Sequence, residues 1–254
     1  MRLLAIIIGS FVVFGMGLLT VRFWGLSQVY SPYQTPFFSE PESELLIAPW
    51  EQAFFSEKFP KLILWVDVYR GDDKALIVRP WKDRALLLND LEKSVSPARP
   101  LLTELLKTHA QQRFILNMIA NEQGIHHQIK MILDETKAKD RVVISSEYPI
   151  VMESIKELEP TALFGSSSAD IVRFKSFLSL GILPASPFKG DLLITQLTKN
   201  KIELINPEIA QEIKRRQKKL ILGPLENHED ILKARALIAD GLFVSDPLLL
   251  NEQK

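Results

Sequence analysis

The chain has no cysteine among its 254 residues. That excludes disulfides, thiolate nucleophiles and thiolate metal sites, and it suits either side of a bacterial inner membrane. There is no surplus of charge either: 31 Lys and Arg face 31 Asp and Glu, for a net charge of zero. A surface without a basic excess does not gather nucleic acid, so no nucleic-acid partner is expected. Glycine-rich phosphate loops are missing. "LLIAPWEQAF", around the first strand pattern, lacks GxGxxG and so disfavours a dinucleotide site. GxSxG-like nucleophile contexts are absent, which leaves a serine hydrolase poorly supported. No repeat or low-complexity tract interrupts the chain.

One long apolar run is present. Residues 3 to 21, "LLAIIIGSFVVFGMGLLTV", carry no charge and are bracketed by Arg2 and Arg22. At 1.5 Å per residue they make roughly 28 Å of helix, close to one hydrocarbon thickness. Residues 1 to 22 are therefore read as a transmembrane anchor in the lipid bilayer. A cleaved signal peptide is the rival, with small residues in "GLS" at 25 to 27, giving a secreted or periplasmic product. The amino terminus and Arg2 outweigh Arg22, which places the amino terminus in the cytoplasm and the domain outside. The expectation is a single-pass protein of a bacterial inner membrane with a periplasmic domain.

Residues 23 to 43 contain Pro32, Pro36 and Pro41 among Ser, Tyr and Phe, and read as a stalk or linker. From 44 to 254 short apolar runs alternate with helical patterns, as one domain. The runs fall at 44–48, 62–68, 75–78, 113–119, 141–144, 161–164, 191–195, 218–222 and 241–244. They are nearly continuous rather than alternating, as parallel strands covered on both faces are. Asn206 followed by Pro207, and Asn227 followed by Glu229 and Asp230, mark helix starts. Val151, Ile155 and Leu158 share one face of another helix. Ser168 is the expected cap of a helix running toward Phe177. Strand and helix repeat about eight times, which fits a closed (β/α)8 barrel or an open doubly wound sheet.

Order and local wording resemble the glycerophosphodiester phosphodiesterases over about residues 44 to 250. "KKLILGPLENHEDILKARALIADGLFVSDPLLL" (218–250) resembles that family's closing strand, helix and strand. "RVVISSEYPIVMESIKELEPTALFG" (141–165) resembles its middle unit. The resemblance implies a (β/α)8 TIM-type barrel behind the anchor. It also implies calcium- or magnesium-dependent hydrolysis of a phosphodiester between glycerol phosphate and a small alcohol. In that chemistry one histidine is the base, another the acid, and carboxylates hold a hard metal.

The family's positions are largely replaced. Its first-strand His-Arg pair falls on Pro49 and Trp50. Its Glu-x-Asp falls on Trp65 and Asp67, and its His-Asp on Pro80 and Trp81. Its third-strand Glu falls near Ile119, with the following Lys near Asn121. The cluster after the seventh strand becomes Gly223, Pro224, Leu225 and Glu226, and Ser245 stands where Asp is usual, just before Asp246. Of the expected groups Asp67 survives. Proline and tryptophan neither ligate a metal nor move a proton at neutral pH. His109, His126, His127 and His228 lie at no predicted strand end on the active face.

No catalytic residue is therefore assigned, and no cofactor is expected. Trp50, Trp65 and Trp81 either plug a dead pocket, wall a pocket for an apolar or glycerol-like ligand, or meet a protein partner. Asp67 reads as a hydrogen-bonding relic, with a weaker reading as a metal ligand. Ligand-binding candidates are Trp50, Trp65, Asp67, Arg79, Trp81, Ser145, Lys189, Asp191 and Glu226. "KRRQKK" (214–219) reads as a solvated helix end matched to the dipole, against contact with anionic lipid heads. Two functions follow. The first is a membrane-anchored, non-catalytic barrel with a binding, regulatory or structural role. The second is an active phosphodiesterase of lipid head groups, with Ca or Mg held by Asp67 and relocated acids such as Glu147, Asp191 or Glu226.

Overall fold

The computed structural model describes residues 2–31, 35–38, 44–51, 59, 61–71, 75–83 and 100–250. Helix α1 runs Arg2–Ser27, five residues past the expected end of the anchor, and is long and apolar enough to cross a membrane. Eight parallel strands follow, each an apolar run of the kind both-side burial demands. They are β1 (Leu45–Pro49), β2 (Ile63–Arg70), β4 (Arg113–Met118), β5 (Val142–Ser146), β6 (Leu163–Phe164), β7 (Leu192–Thr195), β10 (Lys219–Leu225) and β11 (Gly241–Val244). Strand β3 (Leu76–Arg79) folds back antiparallel on β2, and β8 (Thr198–Lys199) pairs with β9 (Ile202–Glu203) in a separate ribbon. Around the sheet the order is β6-β5-β4-β2-β1-β11-β10-β7.

Between the strands lie α2 (Leu102–Thr108), α3 (Ile125–Thr136), α4 (Pro149–Leu158), α5 (Ser168–Ser179), α6 (Pro207–Arg215) and α7 (His228–Ala236). Asn206 and Asn227 cap α6 and α7 as their sequences predict, accepting from the N–H groups of Ile209 and Asp230. At α5 the cap is Ser167 rather than Ser168. Its N–H and Oγ both donate to Asp170, while the Ser168 hydroxyl turns to the carbonyl of Glu147.

The result is a nearly closed parallel barrel of TIM type, not an open sheet. Strands β6 and β7 meet without a regular ladder, and side chains complete the seam. The Asp191 N–H donates to Phe164 O at 2.7 Å, and the Asp191 carboxylate accepts from the Phe164 N–H at 3.0 Å. Further along, the Ser166 hydroxyl donates to Ile194 O and accepts from the Ile194 N–H, both at 2.9 Å. A two-residue β6 is too short to supply these bonds from its backbone alone.

The two-residue period of the strands divides the core. Ile47, Ile63, Ile115, Val143, Leu192, Ile221 and Phe243 fill the lumen. Their neighbours, among them Ala48, Leu64, Leu116, Ile144, Leu193, Leu222 and Val244, face the helices and pack on residues such as Ile129, Ile155 and Ile213. Phe37 closes the lumen where the strands begin, with the Arg113 guanidinium over its ring at 5.5 Å. The segment read as a stalk thus supplies part of the barrel's floor.

Helix α1 is also joined to the barrel. A side chain on Gly25 would lie 2.4 Å from the backbone of Pro184 and Ala185, so only glycine permits this approach. Arg22 donates to Gly181 O at 2.6 Å, and Arg215 donates to the carbonyls of Gly25 and Gln28. The "KRRQKK" cluster is therefore not simply a solvated helix end. Arg216 is 4% exposed, pairs with Glu212 at 2.6 Å and donates to Ser186, Leu183 and Pro184 carbonyls. Both guanidiniums lie over the Tyr30 ring.

Candidate functional site at the barrel mouth

In this fold, chemistry sits where the strands end. Asp67, near the end of β2, points into the lumen two residues beyond Trp65, and its residue is 4% exposed. Three N–H donors converge on it. Trp65 Nε1 and Asn117 Nδ2 donate to Oδ1 at 2.9 and 2.7 Å, and Arg79 Nη2 reaches Oδ2 at 2.5 Å. Arg79 comes from β3, which pairs directly with β2 at Asp67. Asn117 arrives from β4 in register with Asp67.

Beside this polar knot the mouth is aromatic. The Trp65 ring stacks on Phe243 with centroids 4.6 Å apart and planes 16° apart, and Trp81 meets Phe243 edge-on at 5.0 Å. These are favourable ring geometries. Phe243 owes its position to β10. Gly223 has φ +152°, and a Cβ there would sit 2.2 Å from the Phe243 carbonyl oxygen. The β10–β11 register shifts at this point, between Leu222 and Leu225. The "GP" of the expected polar cluster is thus a bulge that lets β11 press its phenyl ring into the lumen.

Glu51, one residue past Trp50, is the ionisable group that sequence reading passed over. Its Oε1 accepts a short hydrogen bond from the Trp81 N–H, and its Oε2 is buried without a partner. Burial pushes the Glu51 carboxyl above the usual carboxylate range. The Trp81 N–H opposes that shift, and the charges of Asp67 and Asp83 add to it.

The structure brings Trp65, Trp81, Asp67 and Arg79 together, with Ser145 two strands along and buried. Ser145 Oγ lies 3.5 Å from Ser166 O, and the residue is in register with Asn117. Other candidates lie elsewhere. Trp50 packs into the layer between strands and helices, away from the two lumen tryptophans. Asp191 precedes β7 and Lys189 precedes Asp191, so both stand at the opposite end of the barrel, where strands begin. Asp191 pairs there with Lys218 at 3.1 Å, and Lys189 with Glu153 at 3.4 Å. Glu226 is at the mouth end and exposed. Ile119 lies beyond β4, and the lumen position at that strand's end belongs to Asn117. The signal for Asn117 was the two-residue period counted from Ile115.

The resemblance implies a divalent metal, and the residues do not fit one. A cation at Asp67 would have to compete with three N–H donors for its carboxylate. Among the described residues no group of three or more His, Cys, Asp or Glu could hold a metal ion.

No family model matches the sequence, and no curated protein matches it. Solved structures do. The glycerophosphoryl diester phosphodiesterase domain of a Mycobacterium tuberculosis protein superposes with a TM-score of 0.63 at 12% identity, covering 83% of this chain and 99% of that one. A glycerophosphodiester phosphodiesterase from Parabacteroides distasonis gives 0.60 at 12%, covering 85% and 100%. An Oleispira antarctica phosphodiesterase, in complex with its product sn-glycerol-3-phosphate, gives 0.55 at 13%, covering 83% and 95%. This chain has the barrel fold of the glycerophosphodiester phosphodiesterases, at a sequence distance where the likeness is one of fold.

Proposed function

We propose that the protein is a membrane-anchored, non-catalytic member of this fold, with binding, regulatory or structural work in the cell envelope. One observation carries the proposal: the surviving acid, Asp67, is held by three N–H donors, from Trp65, Arg79 and Asn117, and among the described residues belongs to no group of three acids or histidines that could share a metal. Beside it the mouth is filled by the Trp65–Phe243–Trp81 ring cluster. A barrel can keep its packing while its mouth changes use. Residues at the mouth could still meet a small ligand or a protein partner through the outer edges of the two indoles.

The anchor belongs to this reading. Helix α1 lies in the bilayer and holds the barrel outside a bacterial inner membrane. Gly25 and Ser27, where a signal sequence would be cut, belong to the helix turn that docks on the barrel, which supports the uncleaved form. No Lys or Arg occurs between 23 and 43, so the sequence-local charge balance still favours a cytoplasmic amino terminus.

The test is a hydrolysis assay on glycerophosphodiesters with the full chain in detergent micelles and saturating calcium or magnesium. The expected result is no turnover above a heat-inactivated control. Metal-dependent turnover that disappears in Asp67→Ala would overturn the proposal.

A further inference from the structure

Among the described residues the barrel's two ends differ in the sign of their charge. Where strands begin, the chain places Lys61, Lys137, Lys189, Lys214, Lys218 and Lys219. Acids at that end are largely matched, Glu44 by Arg235, Glu153 by Lys189, Glu159 by Lys139, Asp191 by Lys218 and Asp240 by Lys219, and Lys137 and Lys214 add positive charge beyond these pairs. Where strands finish, the balance reverses. Glu51, Asp67, Asp83, Glu122, Glu147, Glu203, Glu226 and Asp246 outnumber Arg70, Arg79, Lys82, Lys199 and Lys201 among the described residues. The zero net charge of the whole chain hides this separation.

Helix α1 leaves from the basic end. Its contacts are with Gly181, Pro184 and Ala185, which join α5 to β7, and with Arg215 at the end of α6. In a βα barrel those helix ends lie on the side where strands begin. Beside the junction sit exposed apolar residues, Phe23, Trp24, Leu26, Val29 and Leu180. Aromatic residues at the end of a span, with lysines beyond them, suit the boundary between hydrocarbon and head groups.

We infer that the basic, strand-start end of the barrel lies on anionic lipid head groups, so that the mouth faces away from the bilayer. The docked helix end supports this orientation. Gly25 against Pro184, with Arg22 and Arg215 bonded across the joint, leaves little freedom for the barrel to turn over. The acidic mouth is then offered to partners in the aqueous phase, not to head groups of its own membrane. The inference rests on α1 spanning the bilayer and is independent of whether the mouth is catalytic.

The four tryptophans give a direct test, because Trp24 is at the joint and Trp50, Trp65 and Trp81 are at the mouth end. The full chain is placed in nanodiscs of phosphatidylcholine with brominated acyl chains, with and without phosphatidylglycerol. The expected result is quenching of wild-type fluorescence that is lost in Trp24→Phe, whose remaining tryptophans are unquenched. Persistent quenching in Trp24→Phe would place the mouth at the membrane and overturn the orientation. No quenching in either chain would mean that α1 is not inserted, and would remove the basis of the inference. Lysine acetylation in the same nanodiscs, read by mass spectrometry, tests the head-group contact. Lys61, Lys137, Lys189 and Lys214 are expected to be protected several-fold by phosphatidylglycerol, with Lys82 unaffected. Equal labelling in both lipids, or protection of Lys82, would overturn it.

Discussion

Where the strands begin, buried charge is matched to opposite charge. Arg216 has Glu212, Lys218 has Asp191, and Glu159 is held between Lys130 and Lys139. Where the strands finish, Asp67 keeps one such partner, Arg79, and otherwise the site is built from indole, phenyl and amide groups. Glu51 stands there with one buried oxygen unmatched. The first end is arranged to hold a barrel together and join it to α1. The second has the barrel position of an active site and the composition of a packed core. Paired charges frame one end of the barrel, and aromatic rings fill the other.

Removing a member of the paired set should be the most damaging change. Arg216→Ala would leave Glu212 with Arg215 alone and three carbonyls without their donor. A loss of about 3–5 kcal/mol in denaturant unfolding is expected, as for other broken buried pairs. A loss below 1 kcal/mol would show that water replaces the guanidinium freely, and that this end is no better organised than the surface.

Truncating the aromatic fill should come next. Trp65→Ala removes the ring stacked on Phe243 and one donor to Asp67. About 2–3 kcal/mol is expected, below the usual range for buried aromatic truncations because the ring is partly exposed. The same change opens space at the mouth, so it also tests whether filling is what excludes ligands. If glycerol phosphate binds Trp65→Ala but not the wild type, the plug reading is sharpened. If the wild type binds it tightly, the cluster is a pocket wall instead.

Smaller effects separate the two ends by the sign of their pH dependence. Lys130 and Lys139 hold the Glu159 carboxyl below its usual range, so it binds protons less readily folded than unfolded. Its contribution is present at neutral pH and is lost as pH falls through the folded value. Glu159→Gln should therefore cost most at neutral pH and little in acid. Glu51 is the reverse. Burial raises its pKa, so the folded state holds the proton more tightly, and stability falls as pH rises through the carboxylate range. Glu51→Gln retains an acceptor for the Trp81 N–H and should slightly raise the melting temperature at pH 7, with no gain near pH 4. Parallel pH profiles for the two variants would remove the contrast drawn between the ends.

Much of the barrel could be read from the sequence, because strands buried on both faces leave unbroken apolar runs, as in "LILWVDV". The caps at Asn206 and Asn227 were equally plain, since a cap is a local event. What needed three dimensions was harder to see. "KRRQKK" looks solvated until the carbonyls of residues 183, 184 and 186, some thirty positions earlier, close over Arg216. Lys189 and Asp191 flank a strand, but on the side away from the mouth, and only the direction of β7 decides that. Asn117 was displaced by two residues to Ile119, because the end of an apolar run does not mark which side chain turns inward. Trp65, Trp81 and Asp67 were found by identity, while their partner Phe243 was hidden in a strand that reads as ordinary core.

Whether the mouth holds a divalent cation is tested most directly by calorimetric titration of calcium into the full chain. No heat of binding beyond dilution is expected, for the wild type and for Asp67→Ala alike. Stoichiometric uptake that vanishes in Asp67→Ala would contradict that expectation, and would mean that the donors around Asp67 give way to a cation.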